Sequence, residues 1–138
     1  KSSKSGKRKV KKPKRKYRKE IFKSENGLKY VLALKGENYD IIAKQQSLWL
    51  WELLTYNDRE NDVNLLPNER VYLEAKKKKS KTEYHRIEVG ETLHGISQLY
   101  GIQLEKLCNK NRITMDTKLQ VGQKLFLRKR KPKNYSTT

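Results

Sequence analysis

A chain of 138 residues has room for one ordinary domain or two very small ones, and its single cysteine, Cys108, excludes an intrachain disulfide. The formal net charge of +19 would suit nucleic acid or another polyanion, but its placement argues otherwise: residues 1–20 carry +11, residues 74–83 carry +3 and residues 128–138 carry +5. The stretches 21–73 and 84–127 therefore sum to zero, so the foldable parts are neutral and the arms hold the charge.

The longest apolar run, Leu48 to Leu54, is broken by Glu52 and falls far short of the roughly 18 residues of a membrane-spanning helix. The chain opens at Lys1 with neither an initiator Met nor a signal-peptide pattern, which reads as a fragment of a longer precursor.

Residues 1–27 open with a Lys/Arg/Ser run that has too few apolar side chains to offset the entropy of ordering, so a disordered basic linker is expected there. From Leu28 the pattern changes: Tyr30, Leu32 and Leu34 alternate with Val31 and Ala33, predicting a strand that ends at Gly36. Asn38 can cap a helix from Tyr39 to Gln46 that buries Ile42 and Ala43. After Ser47, the spacing of Leu50, Leu53, Leu54 and Asn57 puts them on one face of a second helix, and Arg70 to Leu73 reads as a short strand.

Shifting the sequence by 54 residues repeats this order without a gap: Tyr30 meets Tyr84, Gly36 Gly90, Glu37 Glu91, Ile42 Ile96, Leu53 Leu107, Asn57 Asn111, Leu65 Leu119 and Leu73 Leu127. The expected organisation is a unit at 28–74, a Lys-rich linker at 75–83, a second unit at 84–128 and a basic tail at 129–138. Each unit has only about 45 residues, near the lower limit for unaided folding, so its two terminal strands must pair antiparallel under both helices. The fold class is α+β, two small βααβ modules, each with a two-stranded antiparallel sheet packed on two helices, plus disordered basic tails. Like-charge repulsion should keep the linker extended, leaving the two units to fold independently.

The second unit runs Tyr84-His85-Arg86-Ile87-Glu88-Val89-Gly90-Glu91-Thr92-Leu93, then Ile96, Tyr100-Gly101, Leu107, Asn111 and Leu119-x-Val121-Gly122-Gln123-Lys124-Leu125. This resembles the LysM module across its whole length. The first unit keeps Gly36, Glu37, Ile42, Leu53, Asn57, Leu65 and Leu73 but replaces Thr-Leu by Asn38-Tyr39 and Gly-Gln by Asn68-Glu69, making it a divergent copy. A basic linker followed by a divergent and then a conserved module also resembles the C-terminal region of Bacteroidetes-type cell-wall glucosaminidases.

The resemblance implies noncatalytic binding of N-acetylglucosamine-containing glycan, either peptidoglycan or chitin, that anchors an upstream hydrolase in a bacterial envelope or secreted setting. It implies a groove walled by Gly90, Glu91, Thr92 and Leu93 on one side and by Asn111, Arg112, Ile113 and Thr114 on the other. Thr92 also reads as a helix cap, and Asn111 as a tie between loop and helix.

Trp49 and Trp51 align with the polar Gln103 and Glu105, so at least one indole should be exposed as a possible docking surface. His85 and His94 read as polar surface residues, with no Cys/His spacing for zinc, and Cys108 as a packing residue without a base to activate it. No carboxylate pair or Ser/His/Asp set suggests catalysis, and no cofactor is expected. The competing reading is nucleic-acid or anionic-surface binding through the basic tails, nonspecific and salt-sensitive.

Overall fold

The computed structural model describes residues 19–135. The disorder expected of residues 1–18 and 136–138 thus lies outside the described residues. Among the described residues nine short elements follow in chain order: β1 (Phe22–Lys23), β2 (Lys29–Leu32), α1 (Tyr39–Gln45), α2 (Leu50–Tyr56), β3 (Arg70–Tyr72), β4 (Tyr84–Arg86), α3 (Leu93–Tyr100), α4 (Leu104–Lys110) and β5 (Lys124–Phe126).

The chain folds as two βααβ units. In the first, β2 pairs antiparallel with β3, Val31 opposite Val71; in the second, β4 pairs antiparallel with β5, His85 opposite Leu125. Period-2 alternation turns alternate side chains of each ribbon toward the helices. Val31, Tyr39, Ile42, Leu53 and Val71 close the first core, and Ile87, Ile96, Ile102, Leu107 and Leu125 close the second. Asn38 caps α1 by accepting the Ile41 N–H, and Thr92 caps α3 by accepting the Gly95 N–H, each satisfying one otherwise orphaned donor.

The repeat extends to the backbone. Positive φ angles recur 54 residues apart, at Gly36 and Gly90, Ser47 and Gly101, Asp58 and Arg112, and Asn68 and Gly122. These positions are the turns that join the elements, and their left-handed conformation is held even where the residue is not glycine. At Gly101 a second constraint operates, because an added Cβ would lie 2.8 Å from Leu28 Cδ1 and 2.9 Å from Asn26 Oδ1.

Four expectations need correction. The segment up to residue 27 is not all linker: Phe22 pairs with Tyr30, making the first sheet three-stranded in the order β1-β2-β3. Asn26-Gly27 supplies the turn, with Gly27 at φ 87°.

The segment 75–83 is not a free spacer either. Lys77 forms a parallel bridge with Ile102, Gln103 N–H donates to Lys77 C=O at 2.8 Å, and Ser80 is fully buried with its N–H on Leu127 C=O. Part of the basic tail also docks. Tyr135 packs edge-on against Phe126, and Lys131 N–H donates to Lys110 C=O at 2.7 Å.

The units, finally, are not separate bodies. Lys76, only 3% exposed, directs its ammonium to Asp58 Oδ2 at 2.7 Å, Gln98 Oε1 at 2.6 Å and Ser97 Oγ at 3.1 Å. Gln98 Nε2 donates to Asn57 Oδ1, Tyr72 Oη donates to Gln98 C=O, His94 Nε2 donates to Asn57 C=O, and Leu104 N–H donates to Asp58 Oδ2. A lysine rarely enters an interior without partners, and here all three of its donors are taken. The charge repulsion expected of a Lys-rich stretch fails because Lys76 turns inward onto a carboxylate while Lys77, Lys78 and Lys79 remain exposed.

Candidate functional site

The turn after β4 is built by its own side chains. Gly90, at φ 84°, lets the chain reverse, and Glu91 Oε1 accepts the Glu88 N–H at 2.8 Å and contacts His85 Nε2 at 2.8 Å. Burial pushes the Glu91 carboxyl up, but these hydrogen bonds outweigh it and hold the group below the usual carboxylate range. The first unit repeats the device, with Glu37 Oε1 accepting the Leu34 N–H at 2.8 Å. Glu91 is thus a turn brace whose carboxylate is already engaged.

Beyond this turn a shallow groove of about 350 Å³ runs past Glu91, Thr92, Leu93 and His94 to Met115, Thr117 and Leu119. Thr92 is consumed by capping and Leu93 is buried in the core. The N–H groups of Leu93 and His94, in the first turn of α3, have no acceptor among the described residues. They border the groove as unused donors.

None of the four residues expected in the other wall lines this groove. Asn111 is 2% exposed and ties α4 to β5, donating to Leu107 C=O and Phe126 C=O and accepting the Phe126 N–H. Arg112 turns away to donate from Nε to Lys131 C=O at 2.7 Å. Ile113 and Thr114 line a neighbouring cleft between the units, leaving Met115, Thr117 and Leu119 as the groove's second wall. Sequence reasoning missed Met115 and Thr117 because the loop they occupy has no apolar period to fix its direction.

The corresponding place in the first unit is shut. Leu65 N–H donates to Glu37 C=O at 2.9 Å, Asn38 bridges to Asn64, and Asp62 accepts the N–H groups of Tyr39 at 2.8 Å and Asp40 at 3.2 Å. Tyr39 and Asp40 are the 54-residue counterparts of Leu93 and His94. A carboxylate of the chain itself thus occupies the donors that the second unit leaves open.

Of the two tryptophans, Trp51 is 62% exposed and Trp49 is half-buried at the start of α2. The histidines are less ordinary than surface residues. His85 contacts Tyr100 Oη and Glu91, each at 2.8 Å, and His94 is held against Asn57 C=O at 2.7 Å. Cys108 is buried and burial pushes its thiol up, away from a reactive thiolate. Among the described residues no group of three or more His, Cys, Asp or Glu side chains could hold a metal ion, and no helix is long and apolar enough to cross a membrane. A separate hollow of about 570 Å³ is lined by Arg86, Lys118, Lys124 and Tyr135.

Residues 85–128 match the LysM domain family. The match runs from within β4 to just past β5, so the second unit is a LysM domain; the first unit lies outside the match. Among solved structures, the Bacillus cereus spore cortex-lytic enzyme SleL is 22% identical, with a TM-score of 0.33, over 72% of this chain and 22% of that one. The Bacillus megaterium QM B1551 spore cortex-lytic enzyme SleL is 16% identical, with a TM-score of 0.32, over 72% of this chain and 22% of that one. The chain therefore spans 22% of the length of either enzyme. No curated protein matches it.

Proposed function

We propose that this chain binds N-acetylglucosamine-containing glycan, peptidoglycan or chitin, without catalysing its cleavage. It acts as a tandem of LysM-type modules at 28–74 and 84–128, of which only the second holds sugar. The observation that carries the reading is the contrast between the two grooves. Beside the second, Leu93 and His94 offer amides that nothing in the described protein uses, across from an apolar wall of Met115 and Leu119. N-acetyl groups need such donors, and pyranose faces need such an apolar surface. In the first unit Asp62 fills the equivalent donors.

The wider role follows from the order of basic segment, divergent module and conserved module. The pair would keep an upstream cell-wall hydrolase on its substrate in a bacterial envelope or outside the cell, with exposed Trp51, beside Trp49, as a docking surface for that hydrolase. Titrating the labelled chain with chitin oligomers tests the core of this. Amide shifts are expected at Gly90 to His94 and Met115 to Leu119, while shifts confined to residues 38–41 and 62–65 would overturn the assignment.

Binding to anionic polymers is a second reading, favoured by one observation. Arg86, Lys118 and Lys124 converge on a hollow with no carboxylate partner among the described residues. Such contacts would be salt-sensitive, whereas a neutral sugar in the groove would not be.

A further inference from the structure

The groove and the inter-unit cleft share one residue. Met115, 55% exposed, lies in the wall of both the 350 Å³ groove and a 670 Å³ cleft between the end of α2 and the face of α4. We propose that a glycan bound in the groove continues over Met115 into this cleft, where the first unit supplies a further sugar subsite through Thr55 and Glu60 rather than through its own closed groove. The inference rests on the glycan-binding reading above.

The chemistry of the cleft selects the occupant. Its lining combines apolar side chains, Leu104, Ile113 and Met115, with polar ones, Thr55, Glu60 and Asn109. A pyranose has the same division, C–H groups on its faces and hydroxyl or acetamido groups around its edge.

The charges present do not call for an anion. Arg59 is already held by Glu69 at 3.3 Å and by Tyr39 Oη at 3.4 Å, and Asp58 by Lys76. Glu60 and Glu105 would repel a carboxylated or phosphorylated polymer, so a neutral chain of N-acetylglucosamine type fits best.

The two walls are also held at a fixed separation. Asp58 and Leu104 both line the cleft, one from each unit, and Asp58 accepts the Leu104 N–H at 3.0 Å while Lys76 holds Asp58 at 2.7 Å. A preorganised subsite adds affinity without the cost of ordering two loosely tethered modules.

Length dependence in the full chain tests this. Calorimetric titration with chitin oligomers from trimer to hexamer should show affinity rising about tenfold once the chain is long enough to cross Met115. Thr55→Trp fills the cleft from an exposed helix position whose hydroxyl donates to Trp51 C=O of its own helix, and should bring the hexamer-to-trimer affinity ratio to about one.

In the unmodified chain, hexamer but not trimer should shift the Thr55 methyl and the Asn109 side-chain amide, a readout that does not depend on any variant folding. A hexamer that leaves those signals unmoved, or a ratio unchanged in a folded Thr55→Trp chain, overturns the proposal while leaving groove binding intact. Failure of every oligomer to bind overturns the groove reading, and the extension with it.

Discussion

Removing the carboxylate of Asp58 should damage the protein far more than removing the lysine it faces. Lys76 is 3% exposed and has Asp58 Oδ2 at 2.7 Å as its only anionic partner among the described residues, with Ser97 and Gln98 offering neutral oxygens. Burial pushes the Lys76 ammonium below its usual range, and Asp58 opposes that shift without cancelling it. In Asp58→Ala the ammonium stays inside without a counterion, and the Leu104 N–H loses its acceptor.

Stranding one member of a buried pair costs about 3–5 kcal/mol. Asp58 is itself 27% exposed, so water can partly replace it and the lower end, about 3 kcal/mol, is expected. For a chain of this size that is a fall of roughly 10 °C in melting temperature. Lys76→Met keeps the aliphatic stem, leaves Asp58 capping Leu104 and should stay within about 1 kcal/mol of the parent. Combining the two should recover most of the loss. Urea unfolding followed by both near-ultraviolet dichroism and residue-resolved exchange would measure this and report on each unit separately. A Lys76→Met chain as unstable as Asp58→Ala, or an Asp58→Ala chain within about 0.5 kcal/mol of the parent, would refute the reasoning.

Three further outcomes are expected. Asp62→Ala frees the amides of Tyr39 and Asp40 and should lower stability by about 1–2 kcal/mol without altering chitin-oligomer affinity; a gain in affinity would show that the first groove is a latent site. Burial depresses the His94 imidazole, aided by Arg59 and Lys76 against the Asn57 carbonyl and Asp58, so the unfolded chain takes up a proton that the folded chain refuses. Stability should therefore fall as pH drops below about 6.5 toward the depressed native value, above the window of Glu37 and Glu91, and His94→Gln should flatten that slope in melts at successive pH values. Deleting residues 1–19, which hold most of the net charge, should abolish most salt-sensitive binding to nucleic acid or anionic surfaces and spare oligosaccharide binding; equal loss of both would tie the arm to the glycan site.

The βααβ order and its repetition were readable because apolar periodicity and turn residues agree at every step from Leu28 to Leu73 and again from Tyr84 to Leu127. The caps at Asn38 and Thr92 were readable for the same reason, since a short polar side chain before an apolar helix has one cheap use. Strand β1 carried a signal that basic composition masked: Phe22 and the Asn26-Gly27 dipeptide mark a hairpin.

The contact between the units had no such signal. It is polar, built from Asn57, Asp58, Lys76 and Gln98, and sequence periodicity reports burial only through apolar side chains. The groove was half legible. The first wall sits on a turn whose residues brace one another, whereas the second sits on a loop whose direction depends on tertiary packing.

The way the units meet also gives the pair a direction. The contact joins the helix-end face of the first, at Asn57 and Asp58, to a different face of the second, on α3 and the start of α4, so it is heterologous and could in principle propagate along a row of such units. At the end of the second unit, Arg112 stands where Asp58 stands in the first, and it grips Lys131 C=O while Lys131 N–H takes the free carbonyl of Lys110. The chain beyond β5 thus covers, on the second unit, the edge that the first unit leaves open to its neighbour.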